Sequence, residues 1–146
     1  RPFQIALKAP LLLSRGDPMP RREGHLLVFT GSSAGTEGPV HAGLGEVCPL
    51  PMFHRETLAE AQTQLDAVLC AWAANPPVLP PALARLDGRM RQWLEQHCPV
   101  GGALLPSVKA GLEMAILHLL GRCAGDPHLG AAAAGARGNS VVSEVG

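Results

Sequence analysis

The sequence predicts an α+β fold in which a three-stranded antiparallel meander is followed by a bundle of about three helices. The first observation is that three runs before residue 48 have strand character, with apolar and polar residues alternating most clearly in the first. The second is that apolar residues after residue 55 recur at every third or fourth position, which is typical of amphipathic helices. Segments rich in glycine and proline separate the runs, so each run is expected to form one element.

The first strand is predicted within residues 3–13. There Phe3, Ile5 and Leu7 alternate with Gln4, Ala6 and Lys8, which indicates one buried face. Pro10 has no backbone N–H to donate, so it is expected to end this strand or to place it at the edge of the sheet.

Two further strands complete the predicted meander. Residues 25–30 form a compact run that favours β structure, and they follow a segment rich in turn formers at residues 14–24. After a loop rich in glycine and serine at residues 31–39, strand character returns at residues 40–47, where two glycines leave little side chain on one face.

Three helices are predicted in the rest of the folded region. The first spans residues 55–74, and the second spans residues 82–97, after a pair of prolines. Ser107 is a natural N-cap for the third helix, which runs toward Gly121. The apolar stripes of the three helices consist of Leu58, Ala61, Leu65, Val68, Leu69 and Trp72; of Leu83, Leu86, Met90, Trp93 and Leu94; and of Val108, Leu112, Ala115, Ile116 and Leu119.

The composition changes near residue 125. Residues 126–146 are rich in alanine and glycine and low in complexity, so we expect a disordered tail or linker there, separate from a folded domain at residues 1–125. Residues 141–145 regain some strand character, but a lone strand in such a tail is expected to have little to pair with.

Charge and apolar content limit the possible partners. The 146 residues include 12 basic and 12 acidic side chains, and this balance provides no positive surface for nucleic acid or for an anionic membrane. No apolar run approaches the roughly 20 residues that a membrane span requires. The four cysteines lie far apart and are interpreted as free thiols, with Cys70 and Cys123 acting as small apolar residues within helices.

The sequence offers no catalytic residue and no metal site. The six histidines do not have the spacing of metal ligands, and His118 is interpreted as a packed residue in an apolar helix. Glu46, at the end of a strand, could be a ligand or a base, but it has no second acidic partner nearby in sequence, so a structural role in tying down the following proline-rich loop is favoured. Glu56, Glu60 and Asp66 have helical spacing and are assigned to a solvated helix face.

Five short motifs stand out: R-E-G at residues 22–24, G-L-G-E at 43–46, P-L-P-M-F at 49–53, E-T-L at 56–58 and P-S-V-K-A-G at 106–111. Together they resemble the N-terminal capping domain of the enolase superfamily, in particular its o-succinylbenzoate synthase branch, which acts in menaquinone and phylloquinone biosynthesis. Of the five motifs, the proline-flanked loop joined to E-T is the most specific.

The resemblance implies that this domain closes over a C-terminal (β/α) barrel of the same polypeptide, with two loops, residues 14–24 and 49–54, covering a small carboxylate substrate. An apolar loop between prolines forms a preorganised wall that excludes water from a closed site. The residues that it makes candidates for the substrate lid are Arg22, Leu50, Pro51, Met52 and Phe53. The alternative, that Leu50 and Phe53 pack against the domain's own helix, remains open.

The implied reaction is a magnesium-assisted dehydration of 2-succinyl-6-hydroxy-2,4-cyclohexadiene-1-carboxylate to o-succinylbenzoate, catalysed by a carbon–oxygen lyase. The lysines and the three acidic Mg²⁺ ligands of the superfamily belong to the barrel, so no residue of this chain is assigned to them. The chain by itself is therefore expected to be inactive.

The sequence departs from the family pattern at His54, which stands where the family usually has a small hydroxyl residue at a helix N-cap, so a weaker cap is expected. Two alternatives remain open: the cap of another racemase, epimerase or cycloisomerase of the superfamily, and a non-catalytic adaptor that retains the fold. The expected compartment is the plastid stroma for an algal or plant protein and otherwise the bacterial cytoplasm.

Overall fold

The computed structural model confirms the α+β class, with an antiparallel meander followed by three helices. The structure describes residues 1–13, 16–32, 39–79, 89–125 and 142–143. The elements in chain order are β1 (Pro2–Leu11), β2 (Met19–Ser32), β3 (Val40–Val47), α1 (Leu58–Ala74), α2 (Arg89–His97), α3 (Pro106–Cys123) and β4 (Val142–Ser143). Within these ranges, no helix combines the length and the apolar character needed to cross a membrane.

The long central strand β2 organises the sheet. β3 pairs with it from His25 to Ser32, whereas β1 pairs with its first half. Pro10 lies within β1, where the β1–β2 register shifts between Ala6 and Leu11, so the prediction of an edge position is confirmed.

The short strand β4 pairs with β2 at Phe29 and Thr30. The expectation that the segment around Val142 would have little to pair with was therefore wrong, because β2 extends beyond β1 and leaves backbone groups available for pairing. The rest of the predicted tail, residues 126–141 and 144–146, lies outside the described residues.

Helices α1 and α3 pack against the sheet, and the core lies between them. Its fully buried side chains come from the sheet, from all three helices and from Leu79 after α1, so the described residues of the predicted stripes contribute to this core. The largest are Phe29, Val47, Val68, Trp72, Leu79, Leu94, Val108, Leu112, Ile116, Leu119 and Leu120. The predicted N-terminal half of the second helix lies outside the described residues.

Glycines allow β3 and α3 to approach each other at backbone distance. A Cβ atom added at Gly43 would lie 2.2 Å from the carbonyl oxygen of Ala115, and one added at Gly45 would lie 2.1 Å from that of Gly111. Side chains at these positions would therefore push the helix off the sheet.

Helix α1 begins three residues later than predicted, after Thr57. The Glu60 N–H donates to Thr57 Oγ1 at 3.2 Å, and the Thr57 N–H donates to Glu60 Oε2 at 2.7 Å, which together form a capping box. The expectation of a weak cap at His54 was therefore wrong, because the N-cap hydroxyl is supplied by Thr57.

Helix α3 is capped by a distant carboxylate. The helix begins at Pro106, and the N-cap residue Leu105 makes no side-chain bond, so the prediction of Ser107 as N-cap was wrong. Instead, the Ser107 N–H donates to Glu56 Oε1 at 2.9 Å, and Glu56 is only 7% exposed. The assignment of Glu56 to a solvated face was also wrong, because the chain folds it against the positive end of α3.

The cysteines are free, as predicted, but their burial differs from the prediction. Cys70 is exposed, because it lies outside the stripe by which α1 faces the core. Cys123 is half-buried. Cys98, which follows α2, is buried instead, and this burial raises the pKa of its thiol to about 12.

Candidate functional site

A cleft of about 780 Å³ opens between the start of β2 and the segment that joins β3 to α1. Residues 19–23 form one wall, and residues 48–52 and 54–58 form the other. Four of the five predicted lid residues, Arg22, Leu50, Pro51 and Met52, line this cleft. The fifth, Phe53, lies beside it and is 75% exposed.

The second wall contains a tightly closed loop, residues 50–54. The carbonyl oxygen of Leu50 accepts hydrogen bonds from the N–H groups of Phe53 at 3.2 Å and His54 at 2.9 Å. The Leu50 N–H in turn donates to His54 Nδ1 at 2.9 Å. Met52, at the turn, has φ 66°, a left-handed conformation that is unfavourable for a residue with a Cβ atom.

The loop presents apolar side chains to solvent. Met52 is 69% exposed, and Phe53 makes an edge-on contact with the His54 ring at a centroid distance of 5.1 Å. The sequence left open the alternative that Phe53 packs against helix α1. A Phe53 side chain that is 75% exposed does not fit that alternative. Large exposed apolar side chains beside a concave surface are typical of binding sites.

The two predicted substrate loops meet at this cleft. Gly16, in the first loop, has φ 93°, and a Cβ atom added there would lie 3.2 Å from Met52 Cγ. The Met52 side chain therefore packs against the Gly16 backbone. The neighbouring residues 14 and 15 are outside the described part of the chain.

Arg22 is one of three arginines that line the cleft, together with Arg21 and Arg55. Its guanidinium forms an ion pair with Glu46. The pKa of Arg22 is raised, chiefly by a hydrogen bond with Cys48 and also by the nearby negative charge of Glu46. Partial burial acts in the opposite direction and lowers this pKa. The Cys48 thiol also donates to the carbonyl oxygen of Glu23 at 3.0 Å, which joins the two walls.

The structural role predicted for Glu46 takes the form of this ion pair. Its partner is Arg22 of β2 and not a residue of the proline-rich loop. The Arg22 side chain is 41% exposed and lines the cleft, and a guanidinium has five N–H donors, so the ion pair does not use all of them.

Glu56 connects the cleft to the core. Burial acts to raise the pKa of this carboxyl group, but the N–H groups of Ser107 and of Glu56 itself, and then the nearby His54, lower it below its ordinary value of 4.5. The carboxylate is therefore ionised at neutral pH. The second oxygen, Oε2, and the Ser107 hydroxyl are buried and have no hydrogen-bond partner among the described residues.

The described ranges contain no group of three His, Cys, Asp or Glu side chains placed to hold a metal ion. The acidic groups at or beside the cleft already have partners, since Glu23 accepts from Gln4 and Arg21, Glu46 pairs with Arg22 and Glu56 caps α3. His118 accepts a hydrogen bond from the Leu44 N–H at 3.1 Å, so it ties α3 to β3. These residues do not fit the Mg²⁺ ion of the superfamily.

The arrangement of a meander, a proline-flanked loop and a capped α1 agrees with a known domain family. The family model described as "MenC, N-terminal domain" matches residues 2–84. The chain belongs to this family. The resemblance to the o-succinylbenzoate synthase branch of the enolase superfamily is thereby confirmed.

Curated relatives of this MenC N-terminal domain are bacterial. The chain is 29% identical to the o-succinylbenzoate synthase of Vibrio cholerae serotype O1 (strain ATCC 39315 / El Tor Inaba N16961) over 117 residues, which cover 80% of the chain and 26% of the relative. It is 43% identical to the o-succinylbenzoate synthase of Pectobacterium atrosepticum over 60 residues, which cover 39% of the chain and 19% of the relative. No solved structure gives a significant match. The plastid alternative has no support from these relatives.

The chain thus spans about a quarter of the length of the Vibrio relative that it matches.

Two features of this MenC domain were missed in the sequence. The capping box was readable from the T-x-x-E spacing of Thr57 and Glu60. The hydrogen bond from the Leu50 N–H to the His54 side chain had little signal in the sequence. The one indication was that Leu50 lies between two prolines and that a polar residue, His54, follows four positions later.

Proposed function

We propose that the chain is the capping domain of an o-succinylbenzoate synthase-type lyase and that its cleft covers a small carboxylate substrate held on a (β/α) barrel. The observation that carries the proposal is the closed apolar loop at residues 50–54, which contacts the first loop through Met52 and lies beside the partly free guanidinium of Arg22. Apolar side chains would exclude water, and Arg22 would favour the substrate carboxylate.

The proposed reaction is the dehydration of 2-succinyl-6-hydroxy-2,4-cyclohexadiene-1-carboxylate to o-succinylbenzoate. The relatives that bear the name o-succinylbenzoate synthase support this choice among the activities of the superfamily. Enzymes of this superfamily are generally Mg²⁺-dependent, but the described residues offer no set of ligands for the ion. The contribution that we propose for this chain is substrate binding, orientation and exclusion of water.

The domain division belongs to the same proposal. Residues 1–125 would form the cap, and residues 126–146 would lead toward the barrel of the same polypeptide. The bacterial relatives and the four free cysteines fit a reducing bacterial cytoplasm.

A chimera tests this function. Residues 1–125 would replace the matching segment of the Vibrio cholerae o-succinylbenzoate synthase, and dehydration would be assayed with Mg²⁺. We expect the chimera to be active and this chain alone to be inactive. Met52→Ala and Phe53→Ala in the chimera should each raise KM by about tenfold, since each removes most of a large apolar contact.

Val40→Ala is the matched control, because Val40 is 72% exposed but lies at the opposite end of β3 from the cleft. Its KM should stay at that of the chimera. A folded chimera without activity, or equal kinetics for Met52→Ala, Phe53→Ala and Val40→Ala, would contradict the proposal.

A further inference from the structure

Both backbone hydrogen-bonding groups of Leu50 are bound by one residue. His54 accepts from the Leu50 N–H through Nδ1 at 2.9 Å and donates its own N–H to the Leu50 carbonyl oxygen at 2.9 Å. Pro49 and Pro51 have no N–H, so Leu50 supplies the single backbone donor of this three-residue stretch. The His54 side chain therefore closes the loop at the one donor that the prolines leave.

From this geometry we infer that His54 is a positioning residue: it shapes the loop and thereby fixes where Met52 and Phe53 stand at the cleft. The consequence for substrate binding rests on the proposed function. The shape of the loop itself does not, since it follows from hydrogen bonds within the chain.

The conformation of Met52 shows why the loop needs such a closure. A methionine at φ 66° is in a region that residues with a Cβ atom avoid, so an unrestrained loop would relax to a negative φ. That relaxation would withdraw the Met52 side chain from Gly16 and separate the two loops. The bonds between Leu50 and His54 oppose it.

His54 also holds Phe53. The two rings meet edge-on, with an interplanar angle of 73°. The His54 ring is itself half-buried in the cleft wall, near the anchored carboxylate of Glu56. The exposed Phe53 therefore contacts the His54 ring, and the position of that ring is set by its hydrogen bond with Leu50 and by its partial burial in the cleft wall.

The bond requires one tautomer. Nδ1 accepts from an N–H, so the ring proton must be on Nε2. In ¹⁵N NMR spectra of the whole chain at neutral pH, Nδ1 of His54 should give the signal of an unprotonated nitrogen and Nε2 that of a protonated one. The opposite tautomer would overturn the inference without any substitution.

Three variants of the whole chain separate the hydrogen bond from general packing. His54→Asn places an amide oxygen close to the position of Nδ1, His54→Gln places it close to Nε2, and His54→Ala has no acceptor. Amide exchange of Leu50 should be about tenfold faster in the Ala and Gln variants, which corresponds to one hydrogen bond. In the Asn variant it should stay within about threefold of the unsubstituted chain.

The exchange rates of core amides in α3 report whether each variant remains folded. With these unchanged, equal Leu50 exchange in all four proteins would overturn the inference, as would an Asn variant that exchanges as fast as the Ala variant. If a variant unfolds, the tautomer measurement still decides.

A kinetic measurement distinguishes this inference from the proposed function. In the chimera, His54→Ala should raise KM about tenfold with little change in kcat, and His54→Asn should restore KM. If Leu50 exchange responds as expected while KM does not move, the positioning of the loop stands and the lid function fails. If Leu50 exchange does not respond, the positioning role fails whatever the kinetics show.

Discussion

Replacement of Glu56 by glutamine or alanine should destabilise the domain through helix α3, although the residue lies far from that helix in sequence. Glu56 is 7% exposed, and its carboxylate accepts from the Ser107 N–H at 2.9 Å. A buried hydrogen bond to a charged group contributes about 1.5–3 kcal/mol. A negative charge at a helix N-terminus contributes about 0.3–1 kcal/mol.

The two substitutions divide these contributions. Glu56→Gln keeps an acceptor but removes the charge, so the free energy of unfolding should fall by about 1 kcal/mol. Glu56→Ala also leaves the Ser107 N–H buried without a partner, so the loss should reach about 3 kcal/mol. Urea denaturation followed by tryptophan fluorescence measures both. Asp66→Asn is the matched control, since it makes the same chemical change on an exposed face of α1 and should have little effect.

The pH dependence gives the sign of the effect. The pKa of Glu56 is lower in the folded chain than its ordinary value of 4.5, so the folded state holds the carboxylate in its charged form. The resulting stabilisation is complete above pH 4.5 and is lost as the pH falls through the folded pKa. The difference between the unsubstituted chain and Glu56→Gln should therefore shrink below that pH. Equal stability of the two proteins at neutral pH, or a difference that does not change on acidification, would refute the assignment of Glu56 as the cap of α3.

Three further predictions concern packing, thiol reactivity and backbone strain. Gly45→Ala should lower the free energy of unfolding by about 3 kcal/mol or more, because the added Cβ would meet a backbone carbonyl at 2.1 Å, whereas Gly101→Ala has open space and should change little in thermal melts. Alkylation followed by mass spectrometry should label exposed Cys70 in the native chain and Cys98 only after denaturation, because burial raises the Cys98 pKa to about 12; native labelling of Cys98 would contradict its burial. Met52→Gly should stabilise the chain by about 0.5 kcal/mol in urea melts, because relief of the left-handed conformation exceeds the entropy cost of glycine; a marked loss of stability would show that Met52 packing matters more.

Much of the fold could be predicted from local pattern, because periodicity records which side of an element faces the core. The strand runs at β2 and β3 and the apolar stripes of the helices agree with the burial of residues such as Phe29, Leu65 and Leu112. The predicted buried face of β1 was wrong: Ile5 is 56% exposed, and Phe3 and Leu7 are only half-buried, because β1 lies at the edge of the sheet. Helix ends were less predictable. Ser107 has the right chemistry for an N-cap, but its role is filled by Glu56, 51 residues earlier, and no local pattern shows such a contact.

The candidate site was predictable only in part. Family resemblance indicated Arg22, Leu50, Pro51 and Met52, which the fold brings to one cleft, while their role as a lid stays a prediction. The contact of Met52 with Gly16 depends on two left-handed backbone conformations. One of them belongs to a methionine, a residue type whose intrinsic preference points the other way, so sequence alone could not indicate it.

The close approach of β3 and α3 at their glycines has a mechanical consequence for the loops at the cleft. Because the two backbones are in direct contact at Gly43 and Gly45, α3 cannot slide along β3, so the sheet and α3 should move as one rigid unit. The hydrogen bond between Glu56 and Ser107 fixes the end of the segment between β3 and α1 to this unit. Any opening and closing at the cleft should then come from movement of its loops relative to this unit, rather than from a swing of the whole domain.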